Sequence, residues 1–321
     1  MRRRAFLAAA AGATLLPGAA RAAEYPDRPI RLLVPFSAGG APDVAARIMA
    51  RQVSIQLGQG VVIENRTGAN GIIASEMVAK ARPDGYNLLY TTGSHAINPS
   101  LYRRLPYDTE ADFTPISLLL VAPAYILVVN NELPVRSVAD LVARARAGQV
   151  TFGSPGVGNS IHMAAEGINQ LAGVSMVHVP FRGATQALEA VVTGQVDCMF
   201  LNPLAALPVI NEGRVRAIAV SSRERFDKLP ELPTVAEGGV PGYEMEGGWN
   251  ALYGPPALPA AIVTRLVEEF RTATRVPEVR AQLEEQGNRV VASDPEVLAA
   301  KVGSEVRKFA ALTRAAGIEP Q

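Results

Sequence analysis

Short apolar, β-branched runs alternate with helix-patterned stretches along almost the whole chain, and this alternation restricts the fold more than any other feature. Residues 30–36, 61–64, 86–91, 125–130, 150–154, 176–181, 196–201 and 215–221 read as strands. Between them, Ala45, Met49, Val53 and Leu57 recur at four-residue steps with Arg47 and Arg51 on another face, the pattern of an amphipathic helix. Ser137 is an N-cap for a helix over 138–147, and 184–193 and 259–275 are further helices. Asp294 caps a last helix that begins at Pro295. Strand–helix alternation predicts an α/β fold with parallel sheets covered on both faces. About 300 residues of this kind predict two domains.

The N-terminus reads separately. Arg2, Arg3 and Arg4 precede an almost wholly apolar run from Ala5 to Pro17, and Ala20-Arg21-Ala22 is a small-x-small cleavage site. That layout is a secretory signal peptide over residues 1–22, cleaved after Ala22, and the run is too short for a stable membrane anchor. Arg3-Arg4-Ala5-Phe6-Leu7 also fits a twin-arginine export signal, so the residues are compatible with either export route. The expected location is the periplasm. Removing the four arginines of this segment takes the formal net charge from +1 to −3. A mildly acidic body offers no electrostatic footprint for nucleic acid.

Cys198 is the only cysteine, which excludes an internal disulfide, and its apolar surroundings suit a small buried hydrophobe. His95, His162 and His178 lack the short spacing of metal ligands. No Gly-x-Ser-x-Gly elbow and no Walker loop occur, and Ile161 stands where a dinucleotide motif would need its third glycine. No cofactor and no metal are therefore expected. Ser154, Ser160 and His162 still admit a hydrolase reading, as a remote alternative.

Polar, glycine-rich turns follow several predicted strands. In Phe36-Ser37-Ala38-Gly39-Gly40 an apolar strand ends and a helix begins, which places free amides at a helix N-terminus, with Asp43 in the first turn. From these residues alone an anion cradle and an ordinary tight turn fit equally. Gly93-Ser94-His95, the stretch from Ser154 to Ser160, Gly183-Ala184-Thr185 and Asn202 repeat the theme. In an open α/β sheet such turns gather in one crevice.

These motifs resemble the tripartite tricarboxylate transporter receptors, also called Bug-type solute-binding proteins. The resemblance runs from about Tyr25 to the C-terminus. It is strongest over Val34-Pro35-Phe36 to Arg47, with Gly39, Gly40, Asp43 and Ala46 in the family's places. Pro83-Asp84-Gly85-Tyr86, His178-Val179-Pro180-Phe181-Arg182-Gly183 and Leu232-Pro233-Thr234-Val235-Ala236-Glu237 also match. Ala38 departs from a frequent family proline. The resemblance implies a two-lobed, type II-like periplasmic binding fold with two interlobe crossings and a ligand cleft between the lobes. Residues 23–122 plus 251–321 would form lobe 1, and 123–250 lobe 2, with the strands near 125–130 and 249–253 as the crossings. It also implies an extracytoplasmic receptor, a monomer and not an enzyme, that captures a small carboxylated solute, or a related amide or aromatic. The solute would pass to the large and small subunits of a membrane transporter. A ligand sensor presenting its closed form to a membrane kinase is the alternative. The implied binding residues are Phe36, Ser37, Ala38, Gly39, Gly93, Ser94 and His95 from lobe 1. Ser154, Ser160, Gly183, Ala184, Thr185 and Asn202 would serve from lobe 2. Backbone amides and ordered water would replace a salt bridge.

Overall fold

A computed structural model describes residues 25–148, 150–315 and 317–320. The expected signal peptide lies outside the described residues.

The chain builds two sheets. The first contains β1 (Ile30–Val34), β2 (Val61–Asn65), β3 (Asn87–Thr92) and β4 (Thr114–Val121). Interleaved with them are α1 (Ala41–Leu57), α2 (Ile72–Ala79) and α3 (Ser94–Leu101). The second contains β5 (Ile126–Val129), β6 (Thr151–Ser154), β7 (Val177–Pro180), β8 (Cys198–Leu201) and β9 (Arg216–Val220). Its helices are α4 (Val138–Ala147), α5 (Ser160–Ala172), α6 (Ala184–Val192) and α7 (Pro203–Asn211). The chain then returns through β10 (Trp249–Gly254), α8 (Ala260–Arg275), α9 (Pro277–Glu285), β11 (Arg289–Val290) and α10 (Pro295–Ala315). Strand order is β11-β4-β10-β3-β1-β2 in the first sheet and β7-β6-β8-β5-β9 in the second.

The expected parallel sheets are in fact mixed. β1 pairs in parallel with β2 and β3, and β6 with β7 and β8. However, β10 runs antiparallel to both β3 and β4, and β5 antiparallel to both β8 and β9. Those strands follow the passages between sheets, where no right-handed helical crossover sets the direction. Period-two alternation sends side chains to two cores per sheet. In β1, Ile30, Leu32 and Val34 enter one core of the first sheet and Leu33 the other. In β8, Cys198 and Phe200 face one core of the second sheet, and Met199 and Leu201 the other. Burial, aided by the charge of Asp197, pushes the Cys198 thiol pKa well above its ordinary value, which suits an inert core residue.

The expected crossings differ from the observed ones. β5 lies wholly in the second sheet and β10 wholly in the first. The passages are the short segments between them and their neighbours. Ala122 N donates to Gly248 O at 2.9 Å and Gly247 N to Ala122 O at 3.0 Å, so the two passages are hydrogen-bonded to each other. Ser221, just beyond β9, ties both: Tyr125 N donates to its Oγ at 2.8 Å, and that hydroxyl donates to Met245 O at 2.6 Å. Behind the passages, α10 spans both halves. Leu298 and Val302 pack on the first sheet, while Phe309 packs with Ile97 and Leu101 into the core of the second. No helix among the described residues is long and apolar enough to cross a membrane.

Candidate functional site

A cavity of about 620 Å³ lies between the two sheets. Four helices begin on its wall, with N-caps at Gly40, Asn159, Gly183 and Asn202. The chain reaches this arrangement locally by the same device each time: a strand or turn ends, and a glycine or asparagine in extended conformation opens the helix. Asn159 and Asn202 cap their own helices, accepting from Ile161 N and Ala205 N at 2.9 Å each. Gly40 and Gly183 have no side chain to do so. α1 and α6 therefore present first-turn amides, and the positive ends of their dipoles, to the cavity.

The turn 36–40 is braced from behind. Asp43, 1% exposed, accepts from Gly39 N at 2.8 Å, Arg47 Nε at 2.9 Å and Asn65 Nδ2 at 2.8 Å. Asn65 Nδ2 also donates to Phe36 O at 2.8 Å. Burial alone would raise the Asp43 pKa, but the hydrogen bonds from Arg47, Asn65 and Gly39 outweigh it and hold it below the usual carboxylate range. The Gly39 amide is thus committed within the protein. The amides of Ser37 and Ala38 have no acceptor among the described residues and are available to an anion.

Of the residues singled out by sequence, Phe36, Ser37, Ala38, Gly39, Ser160, Gly183, Ala184, Thr185 and Asn202 line the cavity together. Four do not. Gly93 borders a smaller space behind Trp249, next to Ser160. Ser94 and His95 are each 1% exposed. The His95 ring is boxed by Tyr107, Phe113 and Tyr253 in the first-sheet core, and burial lowers its pKa to about 4. The expected ligand contact of His95 is replaced by core packing. A turn that opens a helix points successive side chains in opposite directions, and here only Thr92 of this segment reaches the cavity wall. Ser154 is fully buried. Its Oγ sits 2.6 Å from His178 Nε2 and donates to Gly156 O at 2.9 Å, which shapes the Pro155–Asn159 turn from beneath. His178 stacks on His162 at 3.8 Å, and burial, helped by His162, lowers its pKa to about 4. The hydrolase geometry is absent from this cluster: His162 Nδ1 accepts from Gly158 N at 2.9 Å, and Ser154 is out of reach of the cavity.

Sequence reasoning missed several wall elements. Residues 67–71 form one of them, in which Gly68, Ala69, Asn70 and Gly71 all have positive φ, at 126°, 44°, 51° and 90°. Two non-glycine residues in that region are strained, and Asn70 is held there by Asn98, with Nδ2 to Oδ1 at 2.8 Å. The run Gly-Ala-Asn-Gly was the available signal. Tyr125, Gly247, Gly248 and Trp249 line the cavity from the passages, and Gln286 and Asn288 from beyond α9. Arg182 also lines it, and among the described residues it is the only charged one on the wall. Among the described residues no group of His, Cys, Asp and Glu side chains could hold a metal ion.

The two halves also touch at the rim. Lys228 Nζ donates to the carbonyls of Glu284 at 2.8 Å and Glu285 at 3.3 Å, at the C-terminus of α9. Pro203 abuts Gly287, where an added Cβ would come within 2.4 Å of it.

Comparison with known proteins agrees with this architecture. The sequence profile of the family described as "Tripartite tricarboxylate transporter family receptor" matches residues 45–318. A protein of Pseudomonas sp. (strain P51), named for its place in the tcbD-tcbE intergenic region, is 38% identical over 288 residues. That match covers 89% of this chain and 85% of the relative. Rpa4515 of R. palustris, solved with adipate, has a TM-score of 0.86 at 33% identity, over 93% of this chain and 100% of that one. MatC from Rhodopseudomonas palustris, solved with bound malate, has a TM-score of 0.81 at 31% identity, over 90% and 99%. The family is one of receptors, not enzymes. With its two sheets, the cavity between them and these matches, the chain belongs to the tripartite tricarboxylate transporter receptor family and has a periplasmic binding protein fold.

Proposed function

We propose that this protein is a periplasmic receptor that captures a small carboxylate between its lobes and delivers it to the subunits of a tripartite tricarboxylate-type membrane transporter. The observation that carries the reading is the cavity wall itself: among the described residues it holds four helix N-termini, one arginine and no acidic residue. Such a wall favours an anion and offers a cation no carboxylate partner. The adipate of Rpa4515 and the malate of MatC, both carboxylates, support it.

In this mechanism the carboxylate first meets the Ser37 and Ala38 amides of lobe 1, formed by residues 25–122 and 249–320 around the first sheet. Ala184, Thr185 and Arg182 of lobe 2 gain their contacts only when the lobes approach. That difference in contacts between open and closed forms is what shifts the equilibrium toward closure. The closed form then presents a surface that the open form lacks to the transporter. Calorimetry of the purified mature protein against malate, succinate, glutarate, adipate and hexanoate tests the reading, with native mass spectrometry for co-purified ligand. Micromolar binding of at least one acid is expected. Absence of binding across the panel, with only a non-acidic molecule retained, would overturn the carboxylate assignment.

A further inference from the structure

On the second-sheet side, the turn 155–159 and the start of α5 contribute Pro155, Asn159, Ser160 and Ile161 to the cavity wall. From its own half this turn is held by hydrogen bonds. Ser154 Oγ donates to Gly156 O at 2.9 Å, and Gly158 N donates to His162 Nδ1 at 2.9 Å. From the other half it is met by shape. A Cβ on Gly158 would fall 1.7 Å from Cδ1 of Leu101, the last residue of α3. Gly158 is buried and has φ of 72°, so backbone conformation and contact both exclude a side chain there.

Leu101 does not cross as a lone side chain. Ile97, one helical turn earlier on α3, and Phe309 of α10 enter the same second-sheet core, and all three are 4% exposed or less. α3 and α10 pack against each other, and both are rooted in the first half. Ala96 of α3 and Leu298 and Val302 of α10 lie in the first-sheet core. The helix pair is thus a wedge fixed in one half and seated in the other. We propose that Leu101 is a positioning residue for the ligand: it sets the 155–159 turn from the opposite half, so the cavity wall of one lobe is shaped by the other. Withdrawing the wedge would expose its apolar side chains to water, so the lobes turn about it when they close. This inference rests on the receptor reading above, and on no particular carboxylate.

The first test needs no ligand. Hydrogen exchange read by mass spectrometry follows peptides over 155–161 in the unliganded mature protein. Exchange there is expected to rise about tenfold in Leu101→Ala, because the turn loses its packing from α3. Leu141→Ala is the control, a residue of the same core on α4 and outside the cavity wall. It should lower the melting temperature to a similar extent and leave exchange over 155–161 unchanged. Leu101→Met, of similar volume, should behave as the wild type. The second test is calorimetry with adipate and malate. An acid that binds the wild type should bind Leu101→Ala about 5- to 20-fold more weakly, and Leu141→Ala within about twofold. Gly158→Ala should weaken it about tenfold in the wild type but only about threefold in the Leu101→Ala background, where the overlap is gone and the backbone strain remains. Equal rises of exchange in Leu101→Ala and Leu141→Ala, or independent effects of Leu101→Ala and Gly158→Ala on affinity, overturn the role of Leu101. If the wild type binds neither acid, the exchange result still decides that role and the failure lies with the carboxylate reading.

Discussion

Asp43 and Gly39 are joined by a 2.8 Å hydrogen bond from the glycine amide to a carboxylate that is 1% exposed. This contact braces the 36–40 turn, on the cavity wall, in which the Ser37 and Ala38 amides have no acceptor among the described residues. Asn65 is pinned in turn by Phe36 O and by Arg47, so it cannot rotate to accommodate a different partner. Asp43→Asn would set its NH2 group against a donor in either orientation, Asn65 Nδ2 in one and Gly39 N with Arg47 Nε in the other. The expected outcome is a loss of about 1–3 kcal/mol in stability, by urea denaturation, and roughly tenfold weaker ligand binding. Unchanged affinity would show that the turn keeps its shape without Asp43.

Lys228 bridges the rim to the last carbonyls of α9, where a cation also complements the helix dipole. The site is exposed, so the effect is modest. Lys228→Met should weaken ligand binding about two- to fivefold, mainly through faster dissociation in stopped-flow traces. Small-angle scattering of the unliganded variant should show a larger radius of gyration. An unchanged dissociation rate would place Lys228 outside the closure step.

The passages are built to a backbone tolerance that only glycine meets. A Cβ on Gly247 would lie 2.2 Å from Ala124 O, a main-chain atom held by the pairing of Ala122 with Gly248. Gly247→Ala should therefore destabilise the protein by about 1–3 kcal/mol. The same shift of the passages should lower ligand affinity, because they join the two sheets and Gly247 and Gly248 themselves line the cavity. Calorimetry alongside thermal melting checks both, and a variant with wild-type values would contradict the tight approach.

His95 and His178 are both held near a pKa of about 4, chiefly by burial. A histidine whose pKa is lowered on folding takes up its proton more readily when unfolded. Its stabilising contribution is complete above the unfolded value of about 6.5 and is lost as pH falls toward the folded value. Melting temperature should thus fall as pH goes from 7 to 4.5, each group adding a slope of up to about 1.4 kcal/mol per pH unit. His95→Phe, which suits the aromatic box of Tyr107, Phe113 and Tyr253, should flatten that slope. An equally steep profile in the variant would assign the pH dependence elsewhere.

Much of the cavity wall was readable from local pattern. Ser37 to Gly39 and Gly183 to Thr185 each lie between an apolar run and a helix, and backbone preference places such turns at sheet ends. The fault lay in direction. Ser94, His95 and Ser154 occupy turns of the same composition, yet their side chains enter cores, because that choice depends on partners far along the chain, such as Tyr253 for His95 and His178 for Ser154. Arg182 sat inside a motif read for its backbone, and that it is the one charge on the wall among the described residues is visible only once the other wall segments are in place.

The amino-acid sequence by itself determined the α/β alternation, most helix starts and the glycine turns, since these follow from backbone freedom and apolar periodicity over a few residues. Tertiary structure decided which strands run antiparallel, where the chain passes between sheets and which turns meet at the cavity. Those outcomes depend on pairings such as Ala122 with Gly248 and Leu252 with Tyr90, more than a hundred residues apart. Their free energy comes from burial and hydrogen bonding between segments, which no local pattern encodes.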